Sequence, residues 1–134
     1  MNKIKFILEQ KHTDFNGHVS EAGFLTIANE AIWQVFNSIG LNVIFVDEKV
    51  GPIIFDTHMH FKVEVMEGDE ITIHFKAKLS DDCRKIFRNI DIINKNGQVA
   101  VQIQSNGAFL HLEKRRVVPA SARICRKFQK YLRN

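Results

Sequence analysis

The decisive stretch is His12-Thr13-Asp14-Phe15-Asn16-Gly17-His18-Val19-Ser20-Glu21-Ala22-Gly23-Phe24. Residues 12–20 are mostly polar and contain Asn16-Gly17, a turn signal, so they read as a loop. Ser20 is a helix N-cap by type, since its hydroxyl can accept an N–H of the first turn. From residue 21 the apolar positions recur at helical spacing. The loop thus delivers a carboxylate, Asp14, and an imidazole, His18, to the start of a helix. That end carries unpaired N–H groups and a partial positive charge of about 0.5. An oxygen gaining negative charge is stabilised there, as at an oxyanion hole. A carboxylate beside it has the chemistry to attack an acyl carbon or to activate water.

Working outward, residues 21–39 predict one long helix. Its apolar positions, from Ala22 through Phe24, Trp33 and Phe36 to Ile39, cover most of the circumference. Thr26, Glu30, Gln34 and Ser38 form one narrow polar stripe, so protein should surround the helix on most sides. The three aromatics read as core. Gly40 fits as a left-handed C-terminal cap. Upstream, residues 3–10 alternate weakly and predict a first strand.

Downstream, about 53–112 reads as strand. Phe55, Thr57, Met59, Phe61, Val63 and Val65 alternate with polar residues, as do Ile71, Ile73, Phe75, Ala77 and Leu79. Period two predicts a sheet with one buried and one polar face. Glu67-Gly68-Asp69 is expected to turn between those two strands. Asn96-Gly97 is a hairpin signal joining 86–95 to 98–112. Ser105-Asn106-Gly107 interrupts the alternation and predicts a bulge. Pro119 opens a short basic helix. The order implies an α+β domain spanning 1–134. One long buried helix is wrapped by a curved, five-stranded, mainly antiparallel sheet, with a short C-terminal helix.

Composition narrows the function classes. The 134 residues are 45% apolar, enough for one domain with its own core and no metal or disulfide staple. No run approaches the roughly 18 apolar residues of a membrane span, and Glu9 interrupts the apolar start, so neither a membrane segment nor a signal peptide is expected. Cys83 and Cys125 have no metal or redox spacing and read as free thiols in a reducing cytoplasm. Charge is uneven: residues 113–134 hold eight Lys/Arg and one acid, net +7, and the rest is net −3. A positive end suits a phosphate-bearing partner as well as a solvated helix face.

The strand, the T-D-x-x-G-H-V pattern at 13–19, the long apolar helix and the four later strands together resemble hotdog-fold acyl-CoA thioesterases. The 4-hydroxybenzoyl-CoA thioesterase-like family is the nearest in pattern, and the likeness covers nearly the whole chain. It implies hydrolysis of an acyl-CoA to the free acid and coenzyme A. In that scheme Asp14 matches the catalytic nucleophile or general base. The backbone N–H of Glu21 matches the amide that polarises the thioester carbonyl, Gly17 lets the loop turn beside the substrate, and His18 matches the histidine of the G-H-V form. The family's Asn-Asn-x-x-Tyr continuation is replaced here by Ser20, Glu21 and Phe24. The resemblance implies a homodimer or tetramer with sites between subunits, a cytoplasmic setting, and no cofactor, coenzyme A entering as part of the substrate.

Coenzyme A carries a 3′-phosphate and a diphosphate, which Lys114, Arg115 and Arg116, with Arg84, Lys85 and Arg88, are the candidates to bind. His58 and His60 share a strand face, and His74, across a hairpin, is the candidate third zinc ligand. They fall on the polar outer face among lysines, so no metal site is expected. A nucleic-acid reading wants basic residues interleaved with stacking aromatics. The tail offers only Phe128 and Tyr131 at helical spacing, and these are expected to pack against the domain. Two other readings remain. One is an acyl-thioester binding domain without turnover. The other is a 3-hydroxyacyl-thioester dehydratase using His18 and Glu21, which would not need Asp14.

Overall fold

The computed structural model describes residues 2–14 and 17–134. The elements in order are β1 (Lys3–Ile7), a 3-10 turn (Gln10–His12), α1 (Glu21–Ser38), α2 (Leu41–Glu48), β2 (Val50–Phe61), β3 (Glu70–Leu79), β4 (Lys85–Ile93), β5 (Val99–His111), β6 (Arg116–Val118) and α3 (Ala122–Tyr131). All strand pairs are antiparallel, in the order β1-β3-β4-β5-β2, with β6 continuing beside β5 where β4 ends. This is the hotdog arrangement, a long helix against one antiparallel sheet.

The helix forms as its sequence dictates. The Ser20 hydroxyl accepts the Gly23 N–H at 3.0 Å, and Gly40, at φ 82°, ends α1 in the left-handed conformation glycine permits. Gly23, Phe24, Ile27, Ala28, Ala31, Ile32, Val35 and Phe36 are buried. They face an inner sheet surface of Ile71, Ile73, Phe75, Ile90, Ile92, Val101 and Ile103, all at most 1% exposed. An aromatic cluster fastens the helices to the sheet. Phe36 meets Phe75 at 5.6 Å and Phe45 of α2 at 5.7 Å, while Phe109 meets Phe128 of α3 at 5.9 Å. Phe128 is buried and Tyr131 half-buried against the core, as expected. No helix among the described residues is long and apolar enough to cross a membrane.

Several expectations are corrected. α2, in the unread segment after Gly40, and β6 are additional elements. The outer face of α1 is broader than one polar stripe: Trp33 is 49% exposed and Leu25 lies on the surface, because only one side of α1 meets the sheet. β2 is not the hairpin partner of β3. It lies at the far edge, beside β5, with β4 and β5 between it and β3. The 67–69 turn instead closes against the end of β1. Gly68, at φ 87°, donates to the Leu8 carbonyl at 2.8 Å, and the Leu8 N–H donates to Asp69 at 2.9 Å. The alternating apolar residues of β2 are consequently less buried than expected: Met59 packs against the core only in part, and Phe55 and Phe61 are 62% and 55% exposed at the sheet edge. The irregularity predicted at 105–107 lies in the opposite strand. Ile54 pairs with Gly107 and Asp56 with Asn106, leaving Phe55 as the extra residue. Gly107 permits this, because a Cβ there would collide with the Ile53 carbonyl.

Candidate active site

The loop before α1 is built by its own backbone. The Asp14 N–H donates to the His18 carbonyl at 2.8 Å, the Gly17 N–H donates to the Asp14 carbonyl at 3.0 Å, and Thr13 bridges Val19. Gly17 sits at φ 78°, a left-handed value that glycine adopts without strain. Phe15 and Asn16, and with them half of the expected Asn-Gly turn, lie outside the described residues. The outcome is a narrow hairpin that holds an exposed Asp14 two residues from a buried His12 and seven from Glu21.

His12 supports this loop, a role the sequence reading did not give it. Its Nδ1 accepts the Glu9 N–H at 3.2 Å, and its carbonyl accepts the Ser20 N–H at 3.2 Å. Its Nε2 is buried with no partner among the described residues. Ser20 then caps α1. Glu21 is the first helical residue, and its N–H has no acceptor within the helix.

His18 anchors the other side. It bridges Met66, and its Nε2 forms an ion pair with Glu64 in the segment between β2 and β3. Both side chains are about half exposed. An open groove runs beside them, lined by His18, Val19, Phe24, Phe61, Val63 and Glu64, with Phe24 and Phe61 rings 5.9 Å apart. The local fold therefore gathers Asp14, Gly17, His18 and Glu21 at one end of α1, with an apolar groove alongside. Glu64 was read only as an outer-face residue. Its proximity to His18 depends on the long connection from β2 to β3, which leaves no periodic signal.

The basic candidates lie elsewhere. Arg84 and Lys85 sit where β3 turns into β4, and Lys114, Arg115 and Arg116 where β5 turns into β6. Those turns are at the opposite end of the strands from the His18–Met66 bridge. A ten-residue strand such as β3 spans roughly 30 Å. Within one chain, the basic runs and Asp14 are not brought together. Arg88 differs from its neighbours. It pairs with Ala77 and Ser105 on the inner face, and its Nε donates to the Ser105 hydroxyl at 2.8 Å. Burial lowers its guanidinium pKa to about 10. Among the described residues no carboxylate lies within ion-pair distance of it.

His58 and His60 are exposed on the outer face of β2, and His74 lies on β3. Two strands separate them, so the three imidazoles cannot share an ion, correcting the hairpin placement of His74. A neighbouring pair of strands is only about 4.8 Å apart, but this gap is three such steps.

Comparison with known proteins agrees with this architecture. A comparison with curated proteins gives no match. Among solved structures, the chain is similar to the Staphylococcus aureus hypothetical protein SAV2348 in complex with CoA. The TM-score is 0.86 and the identity 14%, over 97% of this chain and 82% of that one. It is similar to Slr0204, a 1,4-dihydroxy-2-naphthoyl-CoA thioesterase from Synechocystis, with TM-score 0.83 and 15% identity over 96% of each chain. BH1999, a gentisyl-coenzyme A thioesterase, matches with TM-score 0.78 and 19% identity, over 91% of this chain and 98% of that one. At these identities the likeness is one of fold. The sequence profile of the thioesterase-like superfamily matches residues 8–128, so the chain is a hotdog-fold member of that superfamily.

Proposed function

We propose that the protein is an acyl-CoA thioesterase in which Asp14 performs the hydrolytic chemistry. The observation that carries this is the backbone-clamped 13–19 loop, which holds an exposed carboxylate beside the open N-terminus of α1. Asp14 attacks the thioester carbonyl carbon, or removes a proton from the water that does. The Glu21 N–H holds the oxygen as it gains charge. The carbon–sulfur bond breaks and the thiolate leaves. On the direct route it takes the proton that Asp14 removed from water. On the covalent route water then hydrolyses the Asp14 anhydride, releasing the acid, the Asp14 carboxylate and the proton that the thiolate takes. His18, fixed by Glu64, borders the groove in which the acyl group lies. Coenzyme A bound to a similar fold, and thioesterases among the similar structures, support this substrate class.

The working unit in this reading is a homodimer. β2 is an edge strand with exposed Ile54, Phe55 and Phe61, and unpaired strand edges invite pairing with a second chain. Two copies joined antiparallel along β2 about a two-fold axis bring Phe61 of one beside Val50 of the other. Val50 pairs with His111, just before the 114–116 run. The basic end of one chain then approaches Asp14 of the other, which supplies the phosphate-binding charge that one chain lacks at its own loop.

The test is free-thiol release from aliphatic and aromatic acyl-CoAs by wild type and Asp14→Asn. Rapid release that falls at least 100-fold in the variant is expected. Equal release by both proteins, or none by wild type, rejects the role of Asp14.

A further inference from the structure

Cys83 and Cys125, the chain's only cysteines, are 42 residues apart in sequence, yet their sulfurs stand 2.9 Å apart. Cys83 is in the turn between β3 and β4, at φ 60°, a left-handed conformation uncommon for a residue with a side chain. The turn holds it there: its N–H donates to the Ser80 carbonyl at 2.9 Å, and its carbonyl accepts the Ala120 N–H at 2.8 Å. Cys125 is fixed in the first turns of α3, its N–H donating to the Ser121 carbonyl at 2.9 Å. Its thiol donates to the Cys83 sulfur. Two separately constrained backbones thus aim their sulfurs at one another. A disulfide bond is about 2.05 Å long, so small side-chain rotations close it.

The pair borders a cleft whose lining includes Lys78, Ser80, Phe87, Gln129 and Arg133. Lys78 and Arg133 outweigh the single acid there, Asp81, so the cleft suits an anionic small molecule. We propose that Cys83 and Cys125 form a reversible modification site, which a small anionic disulfide oxidises to an intramolecular bond tying α3 to the β3–β4 turn. The exchange balances. The Cys83 thiolate attacks one sulfur of the small disulfide, and the first small thiol leaves. Cys125 then gives up its proton and attacks the Cys83 sulfur, releasing the second small thiol. One small disulfide is reduced to two thiols as the protein pair is oxidised. The Cys125 thiol points its proton at the Cys83 sulfur, and burial, with that hydrogen bond, pushes it up to about 11.

The bond would fasten a contact the fold already makes. The Leu132 carbonyl, at the end of α3, accepts the Ala77 N–H of β3 at 2.8 Å. The test uses the full chain, reduced, then treated with oxidised glutathione and alkylated for intact mass. Wild type is expected to lose two hydrogens and take up no alkyl group, with a melting temperature several degrees above the reduced form that a reductant reverses. Cys83→Ser and Cys125→Ser are each expected to retain one modifiable thiol and to show no such rise. Wild type that carries two glutathione or two alkyl groups, forms disulfide-linked pairs of chains, or melts at one temperature in both states overturns the proposal.

Discussion

The backbone carbonyl of His12 occupies the space that a Cβ on Gly23 would need. The loop before the helix therefore crosses the first turn of α1 backbone against backbone. Gly23→Ala must push the 10–13 segment away, and neither partner is a flexible side-chain end. We expect a loss of about 1–3 kcal/mol in urea unfolding, the usual range for overpacking, and a larger fall in thioester hydrolysis than a surface substitution gives. Unchanged unfolding would show that the crossing is looser than described.

The pair His18–Glu64 is half exposed, and such pairs contribute only about 0–1 kcal/mol. His18→Gln and Glu64→Gln should therefore each shift stability by less than about 1 kcal/mol. Their effects on turnover should separate. If His18 contacts substrate, its variant lowers kcat/KM well beyond the Glu64 variant. Equal, small losses in steady-state assays would leave His18 a loop clamp.

Phe55 is the extra residue of the β2 bulge and stands at an exposed edge. If the proposed edge-to-edge dimer forms, Phe55→Glu is expected to sediment as monomer in analytical ultracentrifugation where wild type sediments as dimer, with the far-ultraviolet circular dichroism unchanged. Activity should fall with dimer content. A fully active monomer would remove the partner chain from the site.

Arg88 is a charge on the inner face whose one hydrogen bond to a described residue is to the Ser105 hydroxyl. Replacing a buried charge with an apolar residue of similar volume is often neutral or stabilising by about 1–4 kcal/mol. Arg88→Met should then keep or raise the unfolding midpoint, whereas Arg88→Ala should lower it by leaving a void. A Met variant as destabilised as the Ala variant would mean the guanidinium is well compensated in the fold.

His74 titrates below the ordinary imidazole value of 6.5, chiefly through burial, with Lys3 and Lys76 adding to the fall and the Asn134 carbonyl opposing it. The unfolded chain therefore binds the proton more readily. Its contribution to stability is complete above pH 6.5 and is lost as pH falls through the folded value. Histidine resonances followed by NMR should give His74 a midpoint under 6.5, and His74→Asn should flatten that part of the stability profile. A midpoint at or above 6.5 contradicts the burial assigned to it.

Much of the fold was readable because it is local. Ser20, Gly40 and the period of Phe24, Ile27, Ala31 and Val35 specify α1 from neighbours within four residues. The alternation of Ile71, Ile73, Phe75 and Ala77 specifies β3 in the same way, and Asn96-Gly97 its neighbouring hairpin. The cluster of Asp14, Gly17, His18 and Glu21 was legible too, since one short loop and a helix start contain all four.

What lay beyond reading depends on long-range choice. Interstrand hydrogen bonds join backbone to backbone and carry almost no side-chain identity, so the alternation in β2 could not say that its neighbour is β5 rather than β3. That choice follows from which packing covers the most apolar surface. It decided that Phe55 and Phe61 stay exposed, that the bulge falls opposite Gly107, that Glu64 reaches His18, and that Arg88 turns inward while Arg84 and Lys85 face water. By itself the sequence determined α1, α3, the longer strands and the chemical character of the loop, but not α2 or β6. Tertiary structure alone decided strand order, the free edge and the meeting of Cys83 with Cys125, because each joins residues that no local rule connects.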